Sequence, residues 1–238
     1  MPVLRPILLM TRPAEASERF VTNLNPDIVA RIDVAISPLI RISFRTARLD
    51  LAGFRGVIFS SATGVRAALN AGKGPFGRAF CVGPATTQAA KQAGWDAQQS
   101  GQDASSLVAT LLRDKPDVPL LHIRGHHARG DIAQTLSKQG LTCEEVVLYD
   151  QEALPLSSEV LSAVASDAPI VAPVFSPRTA ALLGAQLPDR PIRCAALSQA
   201  VADELSDHSS WSVDVASSPD AQAMRALVEK LLQTAMPG

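Results

Sequence analysis

Hydroxylated side chains and arginines recur at one kind of place along this 238-residue chain, directly after a short apolar run and directly before an Ala- and Leu-rich one. The stretches are Thr11-Arg12-Pro13, Ser60-Ser61-Ala62-Thr63-Gly64, Gly83-Pro84-Ala85-Thr86, Arg124-Gly125-His126-His127-Ala128-Arg129, Ser176-Pro177-Arg178-Thr179, Leu197-Ser198-Gln199 and Ser217-Ser218-Pro219-Asp220. With the apolar runs as strands and the Ala/Leu-rich stretches as helices, each is a turn at the carboxyl end of a strand, where open α/β sheets take their ligands. A single such turn needs no function, because Ser, Thr and Asp also cap helix N-termini. Together the turns offer backbone N–H groups, hydroxyls and guanidinium groups, a donor set suited to a ligand with many carboxylates.

Other chemistries find less support. Gly72-Lys73-Gly74-Pro75-Phe76-Gly77 fits the dinucleotide string Gly-x-Gly-x-x-Gly, but it follows a helix and precedes a strand, the reverse of what phosphate binding requires. His126 and His127 are adjacent and lack a third ligand at metal-binding spacing. Ser60 and Ser61 are not in a nucleophile elbow. Cys81, Cys143 and Cys194 are far apart and flanked by apolar residues, as expected of core thiols rather than a disulfide framework.

The elements that must hold the turns alternate strictly. Pro6–Thr11, Gly56–Ser60, Ala79–Gly83, Leu120–Arg124, Ile170–Ser176, Ile192–Leu197 and Val213–Ser217 are expected to be strands buried on both faces, with amphipathic helices between them. This is the pattern of α/β architecture with parallel sheets. The chain also repeats itself: Leu8–Arg12 echoes Leu120–Arg124 at an offset of 112, Phe59–Thr63 echoes Phe175–Thr179 at 116, and Val82–Thr86 echoes Leu197–Val201 at 115. Val34–Ile42 and Glu145–Glu152 are equivalent, extended and partly polar, and are expected to pair as an antiparallel ribbon. The domains are then 1–36 with 153–238, and an inserted 44–144, with 37–43 and 145–152 as linker strands. A ribbon containing Pro38 has few tertiary contacts and is expected to act as a hinge.

Apolar residues make up 47 % of the chain and charged residues 19 %, enough for a sizeable core, and no apolar run is long enough to cross a membrane. The net charge of −1 argues against general nucleic-acid binding. It conceals +6 over residues 1–80, +1 over 81–139 and −8 over 140–238, so an acidic ligand has to be met by locally placed arginines and helix N-termini.

In this order and spacing, Leu9-Met10-Thr11-Arg12-Pro13, Ile58-Phe59-Ser60-Ser61-Ala62-Thr63-Gly64-Val65, Val82-Gly83-Pro84-Ala85-Thr86, Arg124-Gly125 with Arg129, Leu148-Tyr149, Phe175-Ser176-Pro177 and Ala196-Leu197-Ser198 resemble the uroporphyrinogen-III synthase family over nearly the whole chain. The resemblance implies two similar, flavodoxin-like, doubly wound parallel-sheet α/β domains joined by a two-stranded β-ladder, with the active cleft between them. It implies cofactor-free dehydration and cyclisation of hydroxymethylbilane with inversion of the terminal pyrrole, a lyase reaction of tetrapyrrole biosynthesis. Tyr149, the only tyrosine, stands where the family has its proton donor. The substrate contacts carried over are Arg12, Ser60, Ser61, Thr63, Gly83, Thr86, Arg124, Gly125, Arg129, Ser176, Arg178 and Ser198. Ser198 comes alone from its turn, because Gln199-Ala200-Val201 replace the Gly-Pro and hydroxylated residue that relatives often carry. No metal or cofactor is expected, and no nucleic acid or membrane partner. A cytoplasmic monomer in transient contact with the preceding bilane-forming enzyme is expected. The residues alone leave open a two-domain sensor that closes on a polycarboxylate metabolite without chemistry.

Overall fold

The computed structural model describes residues 4–46, 51–127, 130–187 and 190–236. In chain order the elements are β1 (Ile7–Met10), α1 (Ala14–Thr22), α2 (Pro26–Val29), β2 (Asp33–Ile36), β3 (Ile40–Phe44), β4 (Gly56–Phe59), α3 (Ala62–Asn70), β5 (Arg78–Val82), α4 (Gly83–Gln92) and β6 (Asp96–Gly101). They continue with α5 (Ala104–Asp114), β7 (Leu120–Gly125), α6 (Ile132–Lys138), β8 (Cys143–Ala153), α7 (Ser158–Val164), β9 (Ile170–Val174), α8 (Pro177–Gly184), β10 (Ile192–Ala196), α9 (Gln199–Asp203), β11 (Trp211–Val215) and α10 (Ala221–Ala235). Each apolar run expected as a strand is one, β11 beginning two residues early at Trp211. The Gly72–Gly77 string lies between α3 and β5, as its flanks require.

The chain divides into two units, residues 1–41 with 153–238, and residues 42–152. The first unit's sheet has the order β11-β10-β9-β1-β2 and the second's β3-β8-β7-β4-β5-β6. The paired strands within β11 to β2, and within β8 to β6, are parallel. β3 runs against β8, since Arg45 N–H donates to Leu148 O at 2.8 Å while Leu154 N–H donates to Leu39 O at 2.9 Å. The ladder therefore pairs β3 with the second half of β8. Val34–Ile36, expected at the start of the ribbon, instead forms β2, the parallel edge of the first sheet.

Alternation along the strands sends side chains to two cores per unit. In the second unit Val57 and Phe59 pack with Val65, Ala68 and Ala90 of α3 and α4, while Ile58 faces Leu107, Leu111 and Leu136 of α5 and α6. In the first, Ile7 and Leu9 face α7, α8 and α9, and Leu8 and Met10 face α1, α2 and α10. These are doubly wound sheets. The helices start on side-chain caps: Ser61 accepts from Gly64 N–H, Ser176 from Thr179 N–H, Asp103 from Ser106 N–H, and Asp220 from Gln222 and Ala223 N–H. Among the described residues no helix is long and apolar enough to cross a membrane.

The strand registers correct one repeat offset. With Leu8 set against Leu120, the pairings Leu8↔Val171 and Gly56↔Leu120 align Gly56 with Val171. The offset there is 115, not 116, so the caps Ser61 and Ser176 coincide and Ser60 corresponds to Phe175. Three elements fall outside the sequence reading: α2, the polar edge strand β6 and α7.

Candidate functional site

In the second unit the carboxyl ends of β4 and β7 and the middle of β8, where its pairing with β7 stops, bring Ser60, Ser61, Tyr149 and Gly125 together. β8 pairs residue for residue with β7 from Leu120↔Cys143 to Arg124↔Val147, then skips Leu148 so that Gly125 lies opposite Tyr149. This bulge breaks the side-chain alternation, leaving Leu148 and Tyr149 both buried. The Tyr149 ring lies directly over Gly125, where a Cβ would come within 2.5 Å of the ring. Its hydroxyl is 2.9 Å from Ser61 Oγ. Ser61 Oγ already accepts from Gly64 N–H at 3.2 Å, so its own proton is available to Tyr149. The main chain fixes the tyrosine too, with His126 N–H donating to Tyr149 O at 2.9 Å. At the adjoining residue, Arg45 Nε and Nη2 donate to Asp150 at 2.6 and 2.7 Å.

Ser60 is held from behind: its Oγ is 3.1 Å from Nε2 of His122, a fully buried side chain on β7. Burial pushes the imidazole down to about 4, so it is neutral at pH 7. Arg124 donates from Nη1 to both Glu145 carboxylate oxygens at 2.9 and 3.0 Å, from Nε to Gly125 O and from Nη2 to His126 O. That guanidinium braces the loop beneath Tyr149. Thr63 Oγ1 accepts from Arg66 on the first turn of α3. Gly83 enters α4 with φ +72°, a conformation that favours glycine, and Thr86 is buried in the same turn. Arg129 lies outside the described residues.

The first unit repeats the frame with different chemistry. Arg12 lies over the Phe175 ring, Cζ 4.2 Å from its centroid, and Ser17 Oγ donates to Arg12 O at 3.0 Å. Desolvation, then nearby Arg19, lowers the Arg12 pKa from its ordinary value. Ser176 Oγ is 2.8 Å from Thr179 Oγ1, so this hydroxyl is engaged within its own helix. Arg178 stands in the first turn of α8, and Ser198 precedes α9 without its side chain capping it. Thr11 Oγ1 is buried with no hydrogen-bond partner among the described residues. The three thiols are buried and raised to about 11 for Cys81 and about 12 for Cys143 and Cys194, unsuited to nucleophilic work.

The family model HEM4, described as uroporphyrinogen-III synthase HemD, matches residues 30–226. The chain belongs to the uroporphyrinogen-III synthase family. Among solved structures, uroporphyrinogen-III synthetase from Helicobacter pylori is similar at 14 % identity and a TM-score of 0.67, over 96 % of this chain and 100 % of that one. A mutant uroporphyrinogen III synthase from the extremely thermophilic bacterium Thermus thermophilus is similar at 14 % identity and a TM-score of 0.56, over 97 % and 99 %. No curated protein sequence matches significantly. At that identity the structures speak to the fold, which this uroporphyrinogen-III synthase family member shares with them along almost its full length.

Sequence reasoning expects Ser60, Ser61, Gly125 and Tyr149 as site residues without revealing the contacts that bring them together. It misses His122, whose signal is one polar residue inside the otherwise apolar run Leu120–Ile123 of a strand buried on both faces.

Proposed function

We propose that the protein is a uroporphyrinogen-III synthase, a lyase that takes hydroxymethylbilane to uroporphyrinogen III with Tyr149 as proton donor. Tyr149 O–H protonates the leaving hydroxyl, which departs as water. The electron-rich pyrrole is left as a cationic azafulvene, and the substituted carbon of the terminal ring attacks it to give a spiro centre. The old bond from that carbon to its bridging methylene then breaks, the methylene rejoins at the ring's free α-carbon, and the proton lost from that carbon restores the phenol. No electron changes hands, and water is the only by-product. The observation that carries this reading is the 2.9 Å hydrogen bond between the Ser61 and Tyr149 hydroxyls: Gly64 N–H already donates to Ser61 Oγ, and on this reading Ser61 donates on to the phenol oxygen, which leaves the phenol proton to point at substrate.

Positioning carries the selectivity. Closure without an enzyme joins the pyrroles without inversion, so the acetate and propionate arms have to be held while the substituted carbon is attacked. In the second unit Ser60, Thr63, Gly83, Thr86 and Arg129 are proposed as contacts to these arms. Arg12, Ser176, Arg178 and Ser198 are proposed as those of the first. The substrate's own carboxylates offset the azafulvene charge. On the same reading the enzyme works in the cytoplasm. There a transient contact with the bilane-forming enzyme would shorten the life of a substrate that closes unaided to the wrong isomer.

Tyr149→Phe tests the role of the phenol. The variant is expected to keep the circular dichroism and unfolding curve of the wild type and to consume hydroxymethylbilane ~10- to 1,000-fold more slowly, the span expected for a general acid that substrate reactivity partly replaces. Wild-type turnover in the variant would remove Tyr149 from the mechanism. Absence of any acceleration by the wild-type protein would remove the function.

A further inference from the structure

His122 is a buried imidazole that the mechanism above does not use. Its Nε2 is 3.1 Å from Ser60 Oγ, and its Nδ1 has no hydrogen-bond partner among the described residues. A neutral imidazole carries one N–H and one bare nitrogen. Buried N–H groups without an acceptor are rarer than buried acceptors without a donor, which sets the proton on Nε2. His122 then donates to Ser60 Oγ. A hydroxyl whose oxygen is engaged in this way turns its own proton outward, away from β7.

The first unit shows that the fold does not require this pair. Register alignment sets Met10 of β1 at the place of His122 and Phe175 at the place of Ser60. Both are apolar, and the Met10 side chain is fully buried. The same position is thus filled without a polar atom in one unit and by a buried imidazole in the other, next to the Ser61–Tyr149 pair. Burying an imidazole with one unsatisfied nitrogen is unfavourable, so stability alone gives no reason for it.

We propose that His122 is a positioning residue, which by donating from Nε2 fixes the Ser60 hydroxyl as an outward-facing donor to a carboxylate arm of the tetrapyrrole. This rests on the reading that the second unit's turns hold those arms. The opposite tautomer would present the Ser60 lone pairs outward and repel the same carboxylate. His122 so selects for anionic side arms without touching them.

Long-range proton–nitrogen NMR on the wild-type protein reads the tautomer directly and needs neither substrate nor variant: protonation at Nε2 is expected at pH 7, and protonation at Nδ1 would overturn the proposal. Calorimetric binding of uroporphyrinogen III supplies the second arm. His122→Met, the residue the first unit carries, is expected to weaken binding ~10-fold, the scale of one hydrogen bond to a charged group. His122→Gln, which keeps an N–H near the Nε2 position, is expected to restore most of it. Ser60→Ala should weaken binding as much as His122→Met, and the double variant no further. With hydroxymethylbilane the loss should fall on KM with kcat little changed. Additive losses, or His122→Met binding as tightly as wild type, would also overturn it. Failure of the wild type to convert hydroxymethylbilane would instead strike the functional reading and leave the tautomer result standing.

Discussion

Arg12 and Arg124 occupy matching places at the ends of β1 and β7, yet the chain treats them differently. Arg124 has a carboxylate and two carbonyls of its own unit, so its charge is already met. Arg12 is stacked on Phe175 and partly desolvated, with no carboxylate partner among the described residues. A partly desolvated guanidinium seated over an aromatic ring is the better anion receptor. Arg12→Ala is expected to weaken calorimetric binding of uroporphyrinogen III by ~10-fold or more, the loss of one charge-assisted hydrogen bond. Arg12→Lys should recover only part of that, because an ammonium neither stacks nor forks. Arg124→Ala should leave affinity within about threefold and show itself in earlier unfolding, as a bracing pair would. Unchanged binding in Arg12→Ala at moderate salt would mean that backbone and hydroxyl donors suffice.

Two adjacent strands and one missing side chain place Tyr149. The bulge at Leu148 turns the ring toward the carboxyl end of β7, and Gly125 leaves room for it. Gly125→Ala is therefore expected to cost about 1–3 kcal/mol of stability by overpacking and to lower activity toward that of Tyr149→Phe, since the ring has to move away from Ser61. Thermal unfolding and turnover measured together check this; an alanine variant with normal turnover would show that the ring's seat is not needed. Strand-to-helix turns were legible in the sequence because apolar runs and cap residues are local signals. The bulge was not, because it depends on how β8 registers against β7 and on no residue type of its own. β6 was hidden for another reason: Asp96-Ala97-Gln98-Gln99-Ser100-Gly101 is a sheet edge with little apolar surface to announce it. His122 is one polar residue in an apolar run, and its partner Ser60 lies 62 positions away, so only the fold joins them.

Over the whole molecule, one arrangement of five parallel strands is entered at two different points. Numbered within its own unit, the first sheet reads 2-1-3-4-5, the flavodoxin order, and the second, β3 aside, reads 3-2-1-4-5. β1 and β2 match β7 and β8, and β9 to β11 match β4 to β6, so the duplicated frame is the same after a circular shift. That shift is why the sequence repeat is legible at offsets of 112 to 115 although the chain leaves the first unit after β2 and returns to it after β8. The copies have diverged in chemistry: Tyr149, Ser61, Ser60 and His122 are in the second, and the Arg12–Phe175 stack is in the first. The proposed reaction closes a linear tetrapyrrole with its last ring inverted. The most direct measurement mixes enzyme in excess with freshly prepared hydroxymethylbilane, oxidises the product and identifies the porphyrin isomer against a protein-free control. The inverted isomer is expected, formed faster than the spontaneous reaction. Only the non-inverted isomer, at the protein-free rate even when the bilane binds, would contradict it and make the protein a binder rather than a catalyst.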